Sequence, residues 1–366
     1  MINLKFFPSR HLATYMVRLF VTRSLAVLIA LVLILMTLDL LGESGKILAV
    51  PGNGDAQLWH YVGLRLPLLV SRFLPFSVLL GALIAFVGLN QHSEVVAMKA
   101  SGLSAHQILA PLIVASIGIS IALFAFNETV VVKSARVVNA WSDNDYKPVP
   151  PDSGVLSNVW ILSGEDLVRA GLVIGSPPKL RVERLTIYDR SGGVLQRVLR
   201  AASATPGPGN AWTLGDITIY DANMNIVRRQ ASLTAMEGIT PSQLTLAKVD
   251  PAQLDYWQLR QRAGELEAAG RPADEARAGL AHKISGPLST LLMPLLAAVA
   301  AFGLARSGQV LLRACLGMAL GFAYFVADNF SLAMGNAGAY PPLIAAWAPF
   351  LLFLLIGETV LVRTEE

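Results

Sequence analysis

The chain has 366 residues, 54% hydrophobic and 15% charged, with a formal net charge of +4 and a mean hydropathy of +0.54. Soluble domains carry about 25% charged residues, so this composition excludes an ordinary soluble protein and indicates an integral membrane protein with a substantial polar part. The small, scattered positive charge gives no basis for nucleic-acid binding, and the single cysteine, Cys315, excludes a disulfide framework or a zinc-ligand spacing within one chain.

Residues 10–23 alternate basic and apolar positions at helical spacing. They suit either a helix lying at the membrane interface or simply the polar start of the first span. Ser24–Leu41 is long enough to cross a bilayer, which takes about 20 apolar residues in a helix. It is too long for a signal-peptide core, contains Asp39 and lacks a small-x-small cleavage site, so it reads as a retained span. Five further runs follow: Phe73–Leu89, with an outer extension holding Arg65 and Arg72; Ile108–Phe126; Ile284–Ala305; Leu311–Met334, with Arg313 and Asp328 near opposite ends; and Pro342–Val362. Gly335–Pro342 reads as the turn between the last two. Gly286, Pro287 and Pro294 predict a kink in the fourth span.

Lys and Arg are unevenly distributed between the loops. Lys5, Arg10, Arg18 and Arg23 precede the first span, Lys99 follows the second, and Arg306 with Arg313 lies after the fourth; the loop after the first span holds Lys46 beside Glu43 and Asp55. That asymmetry predicts cytoplasmic termini, a cytoplasmic 89–108 stretch and an insert between spans three and four on the far side.

The insert is a different material. VWILSGEDLVRAGLVI, LRVERLTIYD and ITIYDANMNIVRRQASL are strand-length runs rich in Val, Ile, Thr and Tyr, punctuated by Gly, Pro, Asn and Asp. Two rhyme, Leu185–Asp189 and Ile217–Asp221; each puts its Thr and Tyr on one face and its aliphatics on the other, then turns through SGG or ANMN. An antiparallel sandwich or roll over 128–250 is predicted, with TPGPGN at 205–210 as a loop. From Pro251, with Asp250 as its cap, LDYWQLRQRAGELEAA reads as a helix, interrupted at Gly270–Pro272 and followed by a second, DEARAGLAHKI. Residues 251–283 are therefore linker helices, and 284–366 hold spans four to six.

No catalytic motif is present. The nearest approach to a phosphate-binding loop, LLGESGKIL, has Leu40 where the first glycine belongs and Ile47 where a Ser or Thr should follow Lys46. HExxH and GxSxG are absent, and His11, His60, His92, His106 and His282 are scattered. An enzyme reading and a bound cofactor have no support.

Residues 89–108, LNQHSEVVAMKASGLSAHQI, are the most informative polar stretch. Ser93 is suited to an N-cap, Glu94 complements the helix dipole, and Gly102 is a natural C′ residue. Over 93–102 this predicts a helix of about two turns, on the order of 12 Å long, with Glu94, Ala97, Met98 and Ser101 on one face. So short a helix must pack against something. Physics alone leaves open whether it is a handle for another protein or a capped, solvated connector.

This string resembles the cytoplasmic coupling helix of the lipopolysaccharide-export permeases, the LptF/LptG family, whose members carry a SELVVMxASG-like motif. The similarity extends to Pro67 and Pro75, to NVWILSGEDLVRAG and to GMALGFAYFVADNF, which is more like the LptG members than their LptF paralogues. It implies six transmembrane helices with a periplasmic all-β, jellyroll-like domain between helices 3 and 4, in the inner membrane of a Gram-negative bacterium. It implies as partners a paralogous LptF-like permease, a cytoplasmic LptB-like ATPase dimer that alone uses ATP and magnesium, an LptC-like membrane-anchored protein, a periplasmic LptA-like bridge and lipopolysaccharide itself. Ser93, Glu94, Ala97, Met98, Ser101 and Gly102 would couple to the ATPase. Lys133 and Arg136, which follow the third span as the family's lipid-contacting bases do, would contact lipopolysaccharide. Lys46, Arg65, Arg72 and Lys283 are further cations at the right level, each of which could equally snorkel to lipid phosphates. Where LptG members often carry a lysine in the outer half of the first span, this chain has Met36 and no base before Lys46. The alternative is a membrane-anchored periplasmic docking platform without transport of its own.

Overall fold

Among the described residues, six stretches of helix are long and apolar enough to span a bilayer. They lie in α1 (Arg10–Leu48), α2 (Asp55–Gln91), α4 (Ala105–Phe126) continued through a π turn (Asn127–Val131) into α5 (Val132–Asp143), α7 (Asp274–Phe302), α8 (Val310–Asn336) and α9 (Pro342–Arg363). Two shorter helices are α3 (Glu94–Ala100) and α6 (Tyr256–Ala268). The computed structural model describes residues 8–148, 156–163, 165–175, 180–207, 211–236, 239–241, 244, 249–268, 271–302 and 310–363. Arg306, used above to orient the chain, lies outside them, as do residues 208–210 of the expected loop.

Helix α1 is unbroken over 39 residues, roughly 58 Å, so residues 10–23 are the start of the first span's own helix rather than a separate element. The third span likewise does not end at Phe126: its helix runs on to Asp143, and the sheet starts only at Leu156. Pro251 opens a 3₁₀ turn (Pro251–Gln253) rather than the α-helix expected there. Asp255 then starts α6 by a reciprocal box, accepting from Gln258 N–H at 2.8 Å while its own N–H donates to Gln258 Oε1. The helix expected to lead into span four is one with it, as α7.

The chain divides into two compact units, the first comprising residues 1–42, 62–134 and 251–366, the second 43–61 and 135–250. In the first, small residues let helices approach closely, the usual device where lipid removes the hydrophobic drive for helix association. Leu79 and Leu83 of α2 seat over Gly321 and Gly317 of α8, Leu295 of α7 over Gly357 of α9, and Gly81 of α2 lies against Ser24 of α1. A Cβ on Gly81 would fall 2.5 Å from the Ser24 Cα, a backbone clash that no rotamer relieves. Gly81→Ala should therefore destabilise the chain by about 1–3 kcal/mol. Gly63→Ala in the same helix meets nothing within 4 Å and should be neutral or slightly stabilising. Thermal melting of the two detergent-solubilised variants checks this; equal midpoints would refute the close contact.

The second unit holds one six-stranded antiparallel meander, order β1–β2–β3–β4–β5–β6, with β1 Leu156–Ser163, β2 Asp166–Ile174, β3 Arg181–Ser191, β4 Val194–Pro206, β5 Trp212–Asp221 and β6 Ile226–Ala235. β4 reaches Pro206, two residues into the expected loop. Gly192 and Gly193, both at positive φ, make the two-residue turn between β3 and β4. Between β5 and β6, the backbone and side-chain amides of Asn225, then the Asn223 N–H, hold the Asp221 carboxyl below the usual carboxylate range.

Pairing is interrupted at the same level on every strand. Asn158, Gly171, Arg184, Ala202, Asp216 and Ala231 are each skipped between flanking pairs. Asn158, Arg184 and Asp216 have positive φ, and a Cβ on Gly171 would strike Arg184. Together they form a crease, at which the alternation of each strand shifts by one residue while the register between strands stays the same. The shift keeps one face inward on both sides of it: Ala170, Leu185, Ala201 and Ile217 on one side, Val173, Val182, Ala204 and Leu214 on the other, belong to one core. Trp212, fully buried, donates its indole N–H to Ile239 O at 2.7 Å.

Candidate functional site

Helix α3 follows from its ends. Gly102 at φ +87° lets its N–H donate to Lys99 O while Leu103 N–H donates to Met98 O, closing the C-terminus with a paired reverse turn. The N-terminal expectation does not hold. Ser93 adopts the left-handed conformation and makes no side-chain cap. The serine that caps is Ser104, which opens α4 in a reciprocal box with Gln107.

Packing decides what α3 presents. Val95 and Met98 are buried in the core of the helical unit, together with Met16, Phe20, Phe86 and Ala105. Met98 is thus an anchor, and Val95, missing from the predicted set, is the other. Val95 and Met98 are three apart, the same spacing as the predicted pair Glu94 and Ala97, so the sequence alone did not say which pair turns inward. Ala97 and Ser101 are exposed, as are Ser93 and Gly102, and Val96 is 65% exposed. Glu94 is half-buried and accepts a hydrogen bond from Tyr15 Oη of α1 at 3.3 Å. His106 at the start of α4 lies 3.3 Å from Glu358 of α9. A short polar helix is therefore fixed from beneath by two apolar anchors, and it bears on the first, second and third spans at once.

The predicted cations have different surroundings. Arg65 is paired with Asp39 through two hydrogen bonds of 3.1 and 3.0 Å. Lys46 pairs with Glu43 at 2.9 Å, and Glu43 also accepts from Tyr146 Oη at 2.7 Å. Tyr146 belongs to an aromatic knot with Tyr61, Trp141 and His60 in the second unit. Lys283 is withdrawn from lipid: it pairs with Glu128 of the π turn at 2.7 Å, with side chains only 12% and 15% exposed. Arg72 and Lys133 are exposed and Arg136 is half-buried. Asp328, in the fifth span, faces His282 at 3.9 Å. Among the described residues no group of three His, Cys, Asp or Glu side chains could hold a metal ion.

Among the described residues, six long apolar helices, a six-stranded sheet inserted between the third and fourth, and a small helix locked into the turn between two spans define a multi-pass membrane protein. The chain belongs to the lipopolysaccharide export system permease LptF/LptG family, whose model matches residues 14–363. It is similar to the lipopolysaccharide export system permease protein LptG of Escherichia coli (strain K12), 28% identical over 360 residues that cover 96% of this chain and 95% of that protein. Its counterpart in Haemophilus influenzae is 25% identical over 324 residues, covering 86% and 89%. The chain is accordingly a membrane-spanning subunit of an ABC-type exporter and not itself an enzyme.

Proposed function

We propose that this chain is the LptG-type half of a two-permease exporter in the inner membrane of a Gram-negative bacterium, with both termini in the cytoplasm. A paralogous permease pairs with it, and an ATPase dimer grips α3. ATP-driven closure moves the spans, so that lipopolysaccharide is lifted out of the outer leaflet and passed along the periplasmic sheet to a membrane-anchored partner and a bridge of similar domains. The observation that carries the reading is the anchoring of α3 by Val95 and Met98, because a handle transmits force only if its inner face is fixed in the core. The open apolar sides of α1, with Ile29, Leu33 and Leu38, and of α8, with Phe322 and Phe330, support a second permease and a lipid between them. Lys133 and Arg136, one turn apart on α5, supply cations for an anionic headgroup, and Arg72 is a further exposed cation; the acids paired with Arg65 and Lys46 offset the charge of those two.

The test is co-purification of the tagged chain in mild detergent, with ATPase turnover read with and without Glu94→Ala. A second six-span protein and an ATPase should co-elute, and the substitution should cut lipopolysaccharide-stimulated turnover by about tenfold, the scale of one charged contact at an interface. Elution of the chain alone, or an unchanged turnover, would favour the docking platform.

A further inference from the structure

The outer face of the sheet carries a row that the export reading does not use. Successive strand pairings place Trp160, Arg169, Thr186, Arg200, Thr218 and Arg229 side by side across all six strands. Directly paired residues project to the same face. The arginines fall on alternate strands, so neighbours are about 10 Å apart. The row contains no acid. The next one along, with Tyr188, Val198 and Tyr220 paired across β3, β4 and β5, contains none on those strands either.

Aromatic rings are arranged around these arginines. Trp160 stacks on Tyr188 with centroids 6.0 Å apart and planes 13° from parallel. Arg169 lies over Trp160 at 5.5 Å and Arg200 over Tyr220 at 5.2 Å, each guanidinium held by a ring rather than by a carboxylate. Asn158 Oδ1, at the crease, accepts from Arg169 Nε at 2.9 Å and fixes its orientation. The two rhyming segments of the sequence flank β4 from both sides, which makes the face nearly symmetric about Val198 and Arg200.

The crease divides this face. Beyond it, α5 covers the sheet: Ala140 packs on Leu172 and Ile174, and Asp145 meets Arg184 at 3.8 Å. On the near side the row is more open: Trp160 is 42% exposed, and Arg200 and Arg229 are exposed.

We infer that this outer face binds the phosphorylated saccharide portion of an anionic glycolipid. Arginine forks match phosphate oxygens in pairs. Flat aromatic rings offer an apolar surface to the C–H faces of pyranose rings, and the threonines between the arginines offer hydroxyls to sugar oxygens. Polar sugar phosphates would thereby be held on the outside of a sheet whose inside is apolar. The inference rests on the proposed export of a glycolipid, and the experiment separates the two.

The probe is the deacylated, phosphorylated oligosaccharide of lipopolysaccharide, titrated into the full chain in detergent and followed by saturation-transfer NMR and calorimetry. Binding is expected. Arg200→Gln/Arg229→Gln, both exposed and neither in the core, should weaken it by about tenfold or more, the scale of charge-assisted hydrogen bonds. Trp160→Ala should do so too, and enzymatic dephosphorylation of the probe should mimic the arginine variant. Equal melting midpoints show that the variants remain folded. The inference is overturned if wild type ignores the probe, if the arginine variant binds it equally, if dephosphorylation has no effect, or if phosphatidylglycerol vesicles displace it completely. Export of intact lipopolysaccharide by cells carrying the wild-type chain is scored in parallel. Export without oligosaccharide binding removes this inference and leaves the export reading intact; loss of both removes both.

Discussion

Lys283→Met should lower the melting midpoint of the solubilised chain more than any other single substitution of a charged residue in the helical unit. The Lys283 ammonium lies 2.7 Å from Glu128 Oε1, and both side chains are largely shielded from solvent. Glu128 also accepts the backbone N–H of Tyr256, the first residue of α6. It sits in the π turn where the third span passes from α4 to α5, a wide turn further tied by Ser71 Oγ donating to Asn127 Oδ1 at 2.5 Å. Such turns displace the helix by a residue and commonly mark functional positions. Removing the lysine leaves a shielded carboxylate with one backbone donor, a change that costs about 3–5 kcal/mol. Glu128→Gln should cost less, because the one amide oxygen still accepts from the ammonium, although the amide nitrogen that replaces the second oxygen cannot accept from Tyr256 N–H. The double variant should be closer to wild type than the sum of the singles. Strict additivity, or a Lys283→Met midpoint equal to wild type, would show that the pair does not hold the π turn, α6 and α7 together.

That pair illustrates what the sequence could and could not disclose. The spans were legible because uninterrupted apolar length is a one-dimensional property, and the two rhyming strands because alternation is. Glu128 and Lys283 are 155 positions apart, and no periodicity connects them; Lys283 alone read as one more cation at a membrane edge. The limits of the third span were misjudged for a related reason. VKSARVVNAWSD is too polar to read as membrane helix, yet Val132, Ala135 and Val138 are buried along one face of α5. β4 was not singled out, since VLQRVLRAASATP alternates poorly, and the crease at Ala202 accounts for that: it shifts the apolar phase from Leu199 and Ala201 to Ala204. In the 89–108 stretch the C-terminal stop was readable because a glycine at positive φ is a local requirement. The cap at Ser93 does not form because that residue is left-handed, whereas Ser104 with Gln107 three residues on opens the next helix, α4. Which face of α3 is buried depends on Met16, Phe20 and Phe86, all outside it in sequence.

That division of α3 into two faces yields the second large expected effect. Ala97→Arg should abolish stimulation of the ATPase while leaving the chain folded. Ala97 is exposed, and a helical surface position tolerates arginine within about 0.5 kcal/mol. If an ATPase groove closes on this face, a long cation in place of a methyl group must be expelled from the contact or buried without a partner. Either outcome costs several kcal/mol, and hence a loss of about a hundredfold or more in affinity. Val95→Asp should fail in the opposite order. Val95 is 4% exposed, and an unpaired carboxylate there undocks the helix from the core before any partner is involved. Its signature is a lowered melting midpoint in the isolated chain, with weaker coupling as a consequence. Measuring stability and stimulated turnover on both variants separates a grip on the outer face from simple collapse of the loop. Normal turnover in Ala97→Arg would mean that the motor does not bear on this face, and Glu94, bound to Tyr15 on α1, would then act within the chain alone.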